Sequence, residues 1–507
     1  MNRKAGVILS YVLMVIEILS TLLLTPFVIR TLGQAEYGVY KLAATLNAYL
    51  FLLDLGVGNA VTRFISKYRV TGDREGERRF FGVASVYYLL IALIALAAGF
   101  VLVLLFPTVF AKGLSAEEAA LGQKLLSITV ISAAVTLGTT ASHNAISAYE
   151  RFAVSRTASI VQIILRIGLT FAALKLGYGS IGVVTVNLIL TVICRLFYVF
   201  YVRFAIGLRP LLRGVRRSLV KEIVAYSSLI FLQMIATQLN SSVDQVLLGA
   251  LVTSSSVLLA IYGVGAQIVQ YYQSLGAAFN GVLMPGVVRM IEARPEPGAI
   301  MDEMVRISRL IFMVLGIFWC GFLINGREFI CVWAGEKNAD AYIVSALLMT
   351  AFMFTLTQSI GSQVLWARNE HKEQAILKFC VVLANIILTV ALIQWDPLVG
   401  AALGTFISIM LGDVLVMNVV FRKKIGISML RYYKGVIKGI LPCLIIAAAV
   451  GVPLMLLLPR GWIWLLIKCF AMAAAYIAAL WLFGMNDYEK TLVGSLFKKI
   501  LSLGRNK

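Results

Sequence analysis

Long apolar runs, separated by short charged or turn-rich breaks, recur along the whole chain. These runs predict helices near residues 6–29, 38–61, 80–106, 125–147, 157–176, 181–203, 223–248, 257–284, 308–326, 341–366, 375–395, 398–421, 436–458 and 462–484. A helix needs about 20 apolar residues to cross the hydrocarbon core of a bilayer. The pattern therefore predicts an all-α polytopic membrane protein with about 14 transmembrane helices.

Composition agrees with that pattern. The 507 residues are 60% apolar and 14% charged, with a mean hydropathy of +0.91. A set of soluble domains of the same total length would be less apolar and more charged. Fourteen spans of about 22 residues would occupy roughly 308 positions, which is close to the number of apolar residues in the chain. Almost the entire apolar content is therefore assigned to membrane helices.

The basic residues, which give a net charge of +21, are sorted by membrane side. With the N-terminus inside, 34 of the 45 lysines and arginines fall on the cytoplasmic side and 8 on the external side. Arg166, Arg195 and Lys468 lie within helices, and we expect Lys468 to extend towards the external surface. The positive-inside rule then places both termini in the cytoplasm. This sorting argues against a nucleic-acid partner.

A basic connection at residues 204–222 follows the sixth predicted helix and divides the first twelve helices into two groups of six. Two such bundles are typical of transporters in which one bundle rocks against the other. The predicted organisation is an N-lobe at 1–203, the linker at 204–222, a C-lobe at 223–421, peripheral helices at 422–484 and a cytoplasmic basic tail at 485–507.

Motifs for catalysis or nucleotide hydrolysis are missing from the sequence. There is no HExxH, GxSxG or GxxxxGK[ST] pattern, and His143 and His371 are the two histidines. The six cysteines have no paired spacing that would indicate a metal site or a disulfide framework. We therefore expect a transporter without enzymatic activity or cofactor, with coupling to protons or sodium left open.

A polar stripe on the helix predicted at 157–176 contains the clearest candidate site. Gln162 and Arg166 share a face with Ser155, Ser159 and Thr170. An arginine near the bilayer midplane costs about 2.5–3.5 kcal/mol on insertion scales, so something must offset that cost. An anion site is one interpretation. An arginine satisfied by helix-end carbonyls or by a buried acid is the alternative.

Further polar residues lie on faces of the helices that open each half of the chain. The predicted substrate-binding members are Asn47, Gln233, Asn240, Gln267 and Gln270, and the predicted coupling or charge-network members are Glu17, Asp54 and Asp244. Such faces must contact protein or water rather than lipid, which predicts a hydrated cavity. Isolated polar residues can instead join helices. We further expect Arg166 and Glu17 to share a charge network.

Residues 26–40, PFVIRTLGQAEYGVY, and residues 53–64, LDLGVGNAVTRF, form a recognisable pair of motifs. They resemble the opening of the bacterial polysaccharide transport family. That family contains O-antigen and capsule-type lipid-linked oligosaccharide flippases of the multidrug/oligosaccharidyl-lipid/polysaccharide exporter superfamily. The positions that carry the resemblance are Arg30, Gly33, Tyr37, Gly38, Asp54, Gly56 and Arg63.

The resemblance implies two six-helix lobes plus two peripheral helices, alternating access, and a cationic cavity for a polyprenyl-pyrophosphate-linked sugar. Because Arg166 is the one cation predicted at the midplane, Arg30 and Arg63 are further candidates at the cavity rim. The implied setting is the bacterial cytoplasmic membrane. The implied partners are the lipid-linked glycan, membrane lipids, and a glycan polymerase with other export components.

Three other functions stay open at this point. A peptidoglycan-precursor flippase also has fourteen spans, whereas drug exporters of the same superfamily usually have twelve. A polytopic glycosyltransferase or ligase belongs to a different class and would be expected to carry a substantial extramembrane loop. The longest predicted external connection, near residues 327–341, is too short for that purpose.

Overall fold

The computed structural model describes residues 3–212, 217–292, 297–368, 370 and 372–494. Within these ranges, side chains are described except at residues 3–8, 11, 217–230, 232, 233, 241, 278–292 and 297. Every regular element in the described part of the chain is helical, which confirms the all-α prediction.

The helices occur in the following order: α1 (Arg3–Leu50), α2 (Val57–Thr71), α3 (Arg74–Val109), α4 (Ala116–Gly138), α5 (Thr140–Ala148), α6 (Phe152–Lys175), α7 (Gly179–Phe200), α8 (Arg217–Leu251), α9 (Ser256–Glu292), α10 (Pro297–Ala334), α11 (Ala341–Thr357), α12 (Ser359–Ala367), α13 (Lys372–Ile393), α14 (Pro397–Ser408), α15 (Met417–Ile425), α16 (Met429–Ile437), α17 (Ile440–Leu457) and α18 (Trp462–Ala479). π-helical turns continue α7, α14 and α18 over Tyr201–Ile206, Ile409–Val416 and Leu480–Gly484.

Among the described residues, 10 helical segments are long and apolar enough to cross a membrane, or 11 if α11 and α12 form one bent span. The chain is thus a multi-pass membrane protein, although the predicted count of 14 is not confirmed exactly. The 48 residues of α1 consist of two helices that meet at a kink at Gly33, between the two spans that the sequence predicted at 6–29 and 38–61.

The chain divides into two compact units. Unit 1 contains Met1–Gly263 and Ile386–Ala401, and unit 2 contains Val264–Asn385 and Ala402–Lys507. The two lobes proposed from the sequence, with their boundary at the 204–222 linker, stay a prediction.

Two glycines of the opening motif determine how α1 packs within unit 1. Gly33 has φ 77° and ψ 170°, a conformation that other residues rarely adopt, and it breaks α1 into two halves. Gly38 lies so close to Ser256, at the start of α9, that a Cβ would overlap the Ser256 carbonyl oxygen. The second half of α1 therefore packs against α9 through backbone contact.

Glu36, between those glycines, links α1 to the start of α7. Its carboxylate Oε1 accepts a hydrogen bond of 2.7 Å from the backbone amide of Ser180. The first amides of a helix lack partners within the helix, and the positive end of its dipole favours an anion. Glu36 therefore caps α7 from a helix 144 residues earlier in the chain.

An ion pair is buried in unit 2. Lys468 on α18 is 0% exposed, and its Nζ lies 2.7 Å from Oε2 of Glu328 on α10. Lys468 also donates to the Pro459 carbonyl at 3.2 Å. The prediction that Lys468 extends to the external surface is wrong, because a carboxylate on a neighbouring helix compensates its charge inside the protein.

A second buried ion pair in unit 2 holds the beginning of the C-terminal segment. Arg309 on α10 donates hydrogen bonds of 2.7 and 3.2 Å to the carboxylate of Glu489. The same guanidinium donates to the carbonyls of Gly435, Lys438 and Gly484, at 3.0, 2.5 and 2.8 Å respectively. One side chain thereby joins α10, the C-terminal end of α16 and the turn that continues α18 to a helical turn that starts at 487.

Candidate substrate and coupling site

Arg166 lies near the centre of α6 and faces the second half of α1. It is partly buried and close enough to Tyr40 for an electrostatic interaction. Its guanidinium forms neither a hydrogen bond nor an ion pair with any residue whose side chain is described. Neither helix-end carbonyls nor a buried acid from that part of the chain satisfies it, so the alternative interpretation of this arginine gains no support.

Lys41 places a second positive charge next to Tyr40. It lies inside α1, where it is partly buried. A Cβ at Gly263 would lie 3.1 Å from Lys41 Cγ, so the lysine stem packs against α9. Its Nζ is 5.4 Å from the centroid of the Tyr37 ring. The i, i+4 spacing of Tyr37 and Lys41 could have revealed this lysine as part of a helix face.

The second half of α1 also makes a polar contact with α8. The Thr45 hydroxyl donates to the side-chain oxygen of Gln245, which is buried. The polar residues of α1 therefore lie between α6 on one side and α8 and α9 on the other. Sequence reasoning identified the neighbouring Asp244 and missed Gln245.

Asp244 is the centre of a buried cluster of oxygen atoms in unit 1. Only 2% of the residue is exposed. Its carboxylate accepts hydrogen bonds from the hydroxyl of Tyr262 on α9 and, at 3.2 Å, from the hydroxyl of Thr389 on α13. Carboxylate and hydroxyl oxygens can hold a proton or a hard cation. Neither Tyr262 nor Thr389 was identified from the sequence, because the three helices meet only in the fold.

Asp54 occupies a different polar cluster, at the end of the first long helical segment. Its carboxylate accepts a 2.5 Å hydrogen bond from the Tyr88 hydroxyl. Leu55 and Gly56 have φ values of 52° and 75°, and they end the segment before α2 begins. The prediction of one continuous helix over 38–61 is wrong, because this left-handed pair interrupts it. In the structure, Asp54 holds α3 at that break.

The charge network expected between Glu17 and Arg166 is not formed. Glu17 is exposed, and in the described structure its carboxylate makes no ion pair with Arg166. The two rim candidates, Arg30 and Arg63, are also exposed, and the Arg63 guanidinium lies 6.0 Å from the Phe64 ring centroid.

The predicted amides fall into several environments. In unit 1, Gln162, Asn47 and Asn240 are partly buried, and Asn47 Oδ1 is a buried acceptor with no partner among the described residues. In unit 2, Gln267 is buried and donates a 2.6 Å hydrogen bond to Tyr271, whereas Gln270 is exposed. The side chain of Gln233 lies outside the described residues. The structure thus places Gln162, Asn47 and Asn240 in unit 1 and Gln267 and Gln270 in unit 2.

The region of the chain that matches a known family is much longer than the opening motif. A family model described as "Polysaccharide biosynthesis protein" matches residues 3–291. The chain belongs to this family. The resemblance carried by the motif at residues 26–64 is therefore confirmed. No curated protein is significantly similar to this family member.

Solved structures share the fold at low sequence identity. The lipid II flippase MurJ, in an inward closed conformation, has a TM-score of 0.70 at 16% identity, over 94% of this chain and 97% of that one. An inward-facing multidrug resistance MATE transporter has a TM-score of 0.60 at 14% identity, over 80% and 94%. A MOP-superfamily transporter from Pyrococcus furiosus has a TM-score of 0.56 at 16% identity, over 85% and 96%. At these identities the likeness establishes the fold.

Proposed function

We propose that the protein is a flippase for a polyprenyl-pyrophosphate-linked oligosaccharide. It moves an O-antigen, capsule or related glycan repeat from the inner to the outer leaflet of the bacterial cytoplasmic membrane by alternating access. Both termini face the cytoplasm. Membership in a polysaccharide biosynthesis family and a fold shared with transporters support this proposal.

The observation that carries the proposal is Arg166, a cation inside a membrane helix with no carboxylate partner among the described residues. A charge left in that state is costly unless a ligand offsets it. A guanidinium can hold two phosphate oxygens at once, which suits a pyrophosphate. Lys41, which follows Tyr40 in α1 and packs against α9, is a second partly buried cation on the same helix.

Polar groups near these cations suit the sugar portion of such a substrate. Asn47 offers a buried oxygen without a partner, and Gln162 lies one helical turn before Arg166. Sugar hydroxyls both donate and accept hydrogen bonds, so amides match them well. In this proposal Gln233, Asn240, Gln267 and Gln270 contribute further amides, Arg30 and Arg63 attract the substrate at the rim, and the polyprenyl tail stays in the lipid.

Energy for transport comes from a proton or sodium ion in this scheme, and Asp244 is the group that binds it. Its carboxylate, with the hydroxyls of Tyr262 and Thr389, forms an oxygen cluster that connects α8, α9 and α13. A change in the charge of this cluster would alter the packing of three helices together. Glu17 and Asp54 are further candidate members of the charge network.

Transport of this kind needs no covalent chemistry, so the protein is not an enzyme in this proposal. It would act with a glycan polymerase and other export components that consume the flipped glycan. A second candidate, a flippase for the peptidoglycan precursor, is favoured by one observation, the MurJ likeness over 94% of this chain. The likeness to a MATE transporter similarly motivates a test of drug export.

A reconstituted assay separates these substrates. Purified protein in liposomes is supplied with fluorescent polyprenyl-pyrophosphate oligosaccharide, fluorescent lipid II or a cationic dye, and flipping is measured by quenching in the outer leaflet. Selective flipping of the oligosaccharide supports the proposal. Selective flipping of lipid II, or dye transport alone, contradicts it in favour of the corresponding alternative.

A further inference from the structure

Helix α16 (Met429–Ile437) is a short amphipathic helix between two membrane-length segments, Pro397–Ile425 and Ile440–Leu457. The first segment ends just before α16 and the second begins just after it. The connection between two membrane-spanning segments lies at the membrane surface, so α16 lies there too. The predicted topology places this surface on the cytoplasmic side. Interfacial amphipathic helices bury one face and present the other to lipid head groups.

The inner face of α16 is fixed to unit 2 by two tyrosines. The buried Tyr432 hydroxyl donates to the Thr357 carbonyl at 3.0 Å and lies 2.7 Å from the Ser308 hydroxyl. The Tyr433 hydroxyl donates to Gln358 Oε1 at 2.8 Å. These bonds determine which face of the helix points away from the protein.

The outer face carries several exposed positive charges. Arg431, Lys434 and Lys438 are spaced by three and four residues, so they follow one side of the helix. Arg422 and Lys423, at the end of α15, are exposed beside them in the chain. We call these five residues the basic face; its members are Arg422, Lys423, Arg431, Lys434 and Lys438.

No carboxylate in the described structure compensates this basic face. None of its five side chains forms an ion pair there, while the neighbouring Lys424 is paired with Glu373 at 2.7 Å. The sequence has no acidic residue between Asp413 and Asp487. Leu430, which is 68% exposed, adds an apolar contact next to the charges. Cations combined with an exposed leucine match a membrane surface better than a soluble anion.

We propose that the basic face binds the head groups of anionic phospholipids, with Leu430 inserted among the lipids at the interface. Each lysine or arginine near an anionic bilayer surface strengthens binding about fivefold. Five such residues on a helix held in position by hydrogen bonds form a specific lipid site.

The hydrogen bonds of α16 reach a bend in a membrane helix of unit 2. Thr357 and Gln358, which bond to Tyr432 and Tyr433, are the residues at which α11 ends and α12 begins. The two helices are bent by 41° at this point. Anionic lipid bound to α16 would therefore also hold the helix against this bend.

The test uses the full-length protein in nanodiscs, which expose both leaflets and so do not depend on the topology. Nanodiscs contain neutral lipid with a small fraction of phosphatidylglycerol, and retained lipid is measured by native mass spectrometry after extraction. The variant is Arg431→Gln/Lys434→Gln/Lys438→Gln. We expect its affinity for phosphatidylglycerol to fall by about tenfold or more, with unchanged thermal stability.

The matched control is Arg151→Gln/Arg203→Gln/Arg209→Gln, which removes the same charge from exposed positions of unit 1. Equal losses in the two variants would show a general effect of net charge and overturn the proposal, as would parental lipid retention in the first variant. Soluble glycerol phosphate competing as well as the lipid would also contradict it. So would capture of an acidic soluble protein that phosphatidylglycerol cannot displace.

The Leu430→Gln variant gives an independent measure. It leaves every charge in place, so a purely electrostatic site for soluble anions predicts no change. A lipid surface predicts weaker retention of phosphatidylglycerol, because the apolar contact is lost. The lipid site does not depend on which substrate is flipped, so failure of the oligosaccharide assay would leave this result standing.

Discussion

The Lys468 ammonium and the Glu328 carboxylate lie 2.7 Å apart inside unit 2, and neither is more than 9% exposed. Glu328 also accepts from the Gly461 amide at 3.3 Å, just before α18 begins. The pair thus holds the end of α10 against the start of α18. A pair of charges in this position is sensitive to the loss of one partner, since the other is then buried alone.

We expect Lys468→Met and Glu328→Met each to destabilise the protein by about 3–5 kcal/mol, because each leaves the partner charge buried alone. The double variant Lys468→Met/Glu328→Met should recover much of the loss. Thermal unfolding in detergent measures all three. Additive effects of the two single changes would show that the ion pair is not the source of the destabilisation.

Replacing Arg166 tests the proposed anion site. Arg166→Ala should leave the protein in the membrane at the parental level and reduce oligosaccharide flipping by at least about a hundredfold. Arg166→Lys should restore part of the activity, because an ammonium lacks the planar grip on phosphate. Lys175→Ala, at the end of the same helix, is the matched control. Normal flipping by Arg166→Ala would rule out the site.

Asp244 is expected to control ion coupling rather than substrate binding. Asp244→Asn keeps the size of the side chain but removes its charge, so transport should lose its dependence on pH or sodium while substrate still binds. The measurement is flipping with and without an imposed proton or sodium gradient. Asp302→Asn, an acid-to-amide change at an exposed position, is the control. A parental gradient response in Asp244→Asn would exclude Asp244 as the coupling group.

The contact between Gly38 and Ser256 makes a prediction about stability. Gly38→Ala should destabilise the protein by several kcal/mol, since the new Cβ overlaps a backbone carbonyl that cannot rotate away. Gly168→Ala, in the helix α6, meets no atom within 4 Å and should be neutral or slightly stabilising. Thermal unfolding of the two variants gives the comparison. Similar values would indicate that α1 and α9 can move apart at no cost.

Membrane topology is tested with cysteines at exposed positions in a background without native cysteines. Val70, which is 90% exposed, and Leu212 should react with an impermeant thiol reagent only after the cells are opened. Leu176 and Trp395 should react in intact cells. If the cysteine at position 70 reacts in intact cells, the orientation is the opposite of the predicted one.

The parts of the fold that the sequence predicted depend on local patterns. Apolar runs located the membrane helices, and the gap between the first two runs contains Gly33, where the structure has a kink. The position of Arg166 on a polar stripe was visible for the same reason, because helical spacing fixes which residues share a face.

The missed features depend on contacts between distant parts of the chain. The sequence around Lys468 does not indicate its ion-pair partner, Glu328, which is 140 residues away. Thr389 joins the Asp244 cluster across 145 residues. The sequence did not reveal the break after Asp54. Leu55 continues the apolar run, and a leucine rarely adopts the left-handed conformation that it has in the structure. Burial and pairing of this kind arise from the packing of distant segments, and the spacing of apolar and polar residues along one helix does not indicate which segments will meet.

The hydrogen bonds of Arg309 set an order of events during biosynthesis. Its carboxylate partner, Glu489, is synthesised 180 residues later, after every helix from α11 to α18. At about 5–20 residues per second, the guanidinium waits roughly 9 to 36 s for its counter-ion. Throughout that interval the guanidinium on α10 lacks its carboxylate partner, so the bonds that join α10 to the segment after α18 form late. The segment at 486–489 therefore completes this network, because the charge of Arg309 gains its carboxylate partner only once that segment has been made.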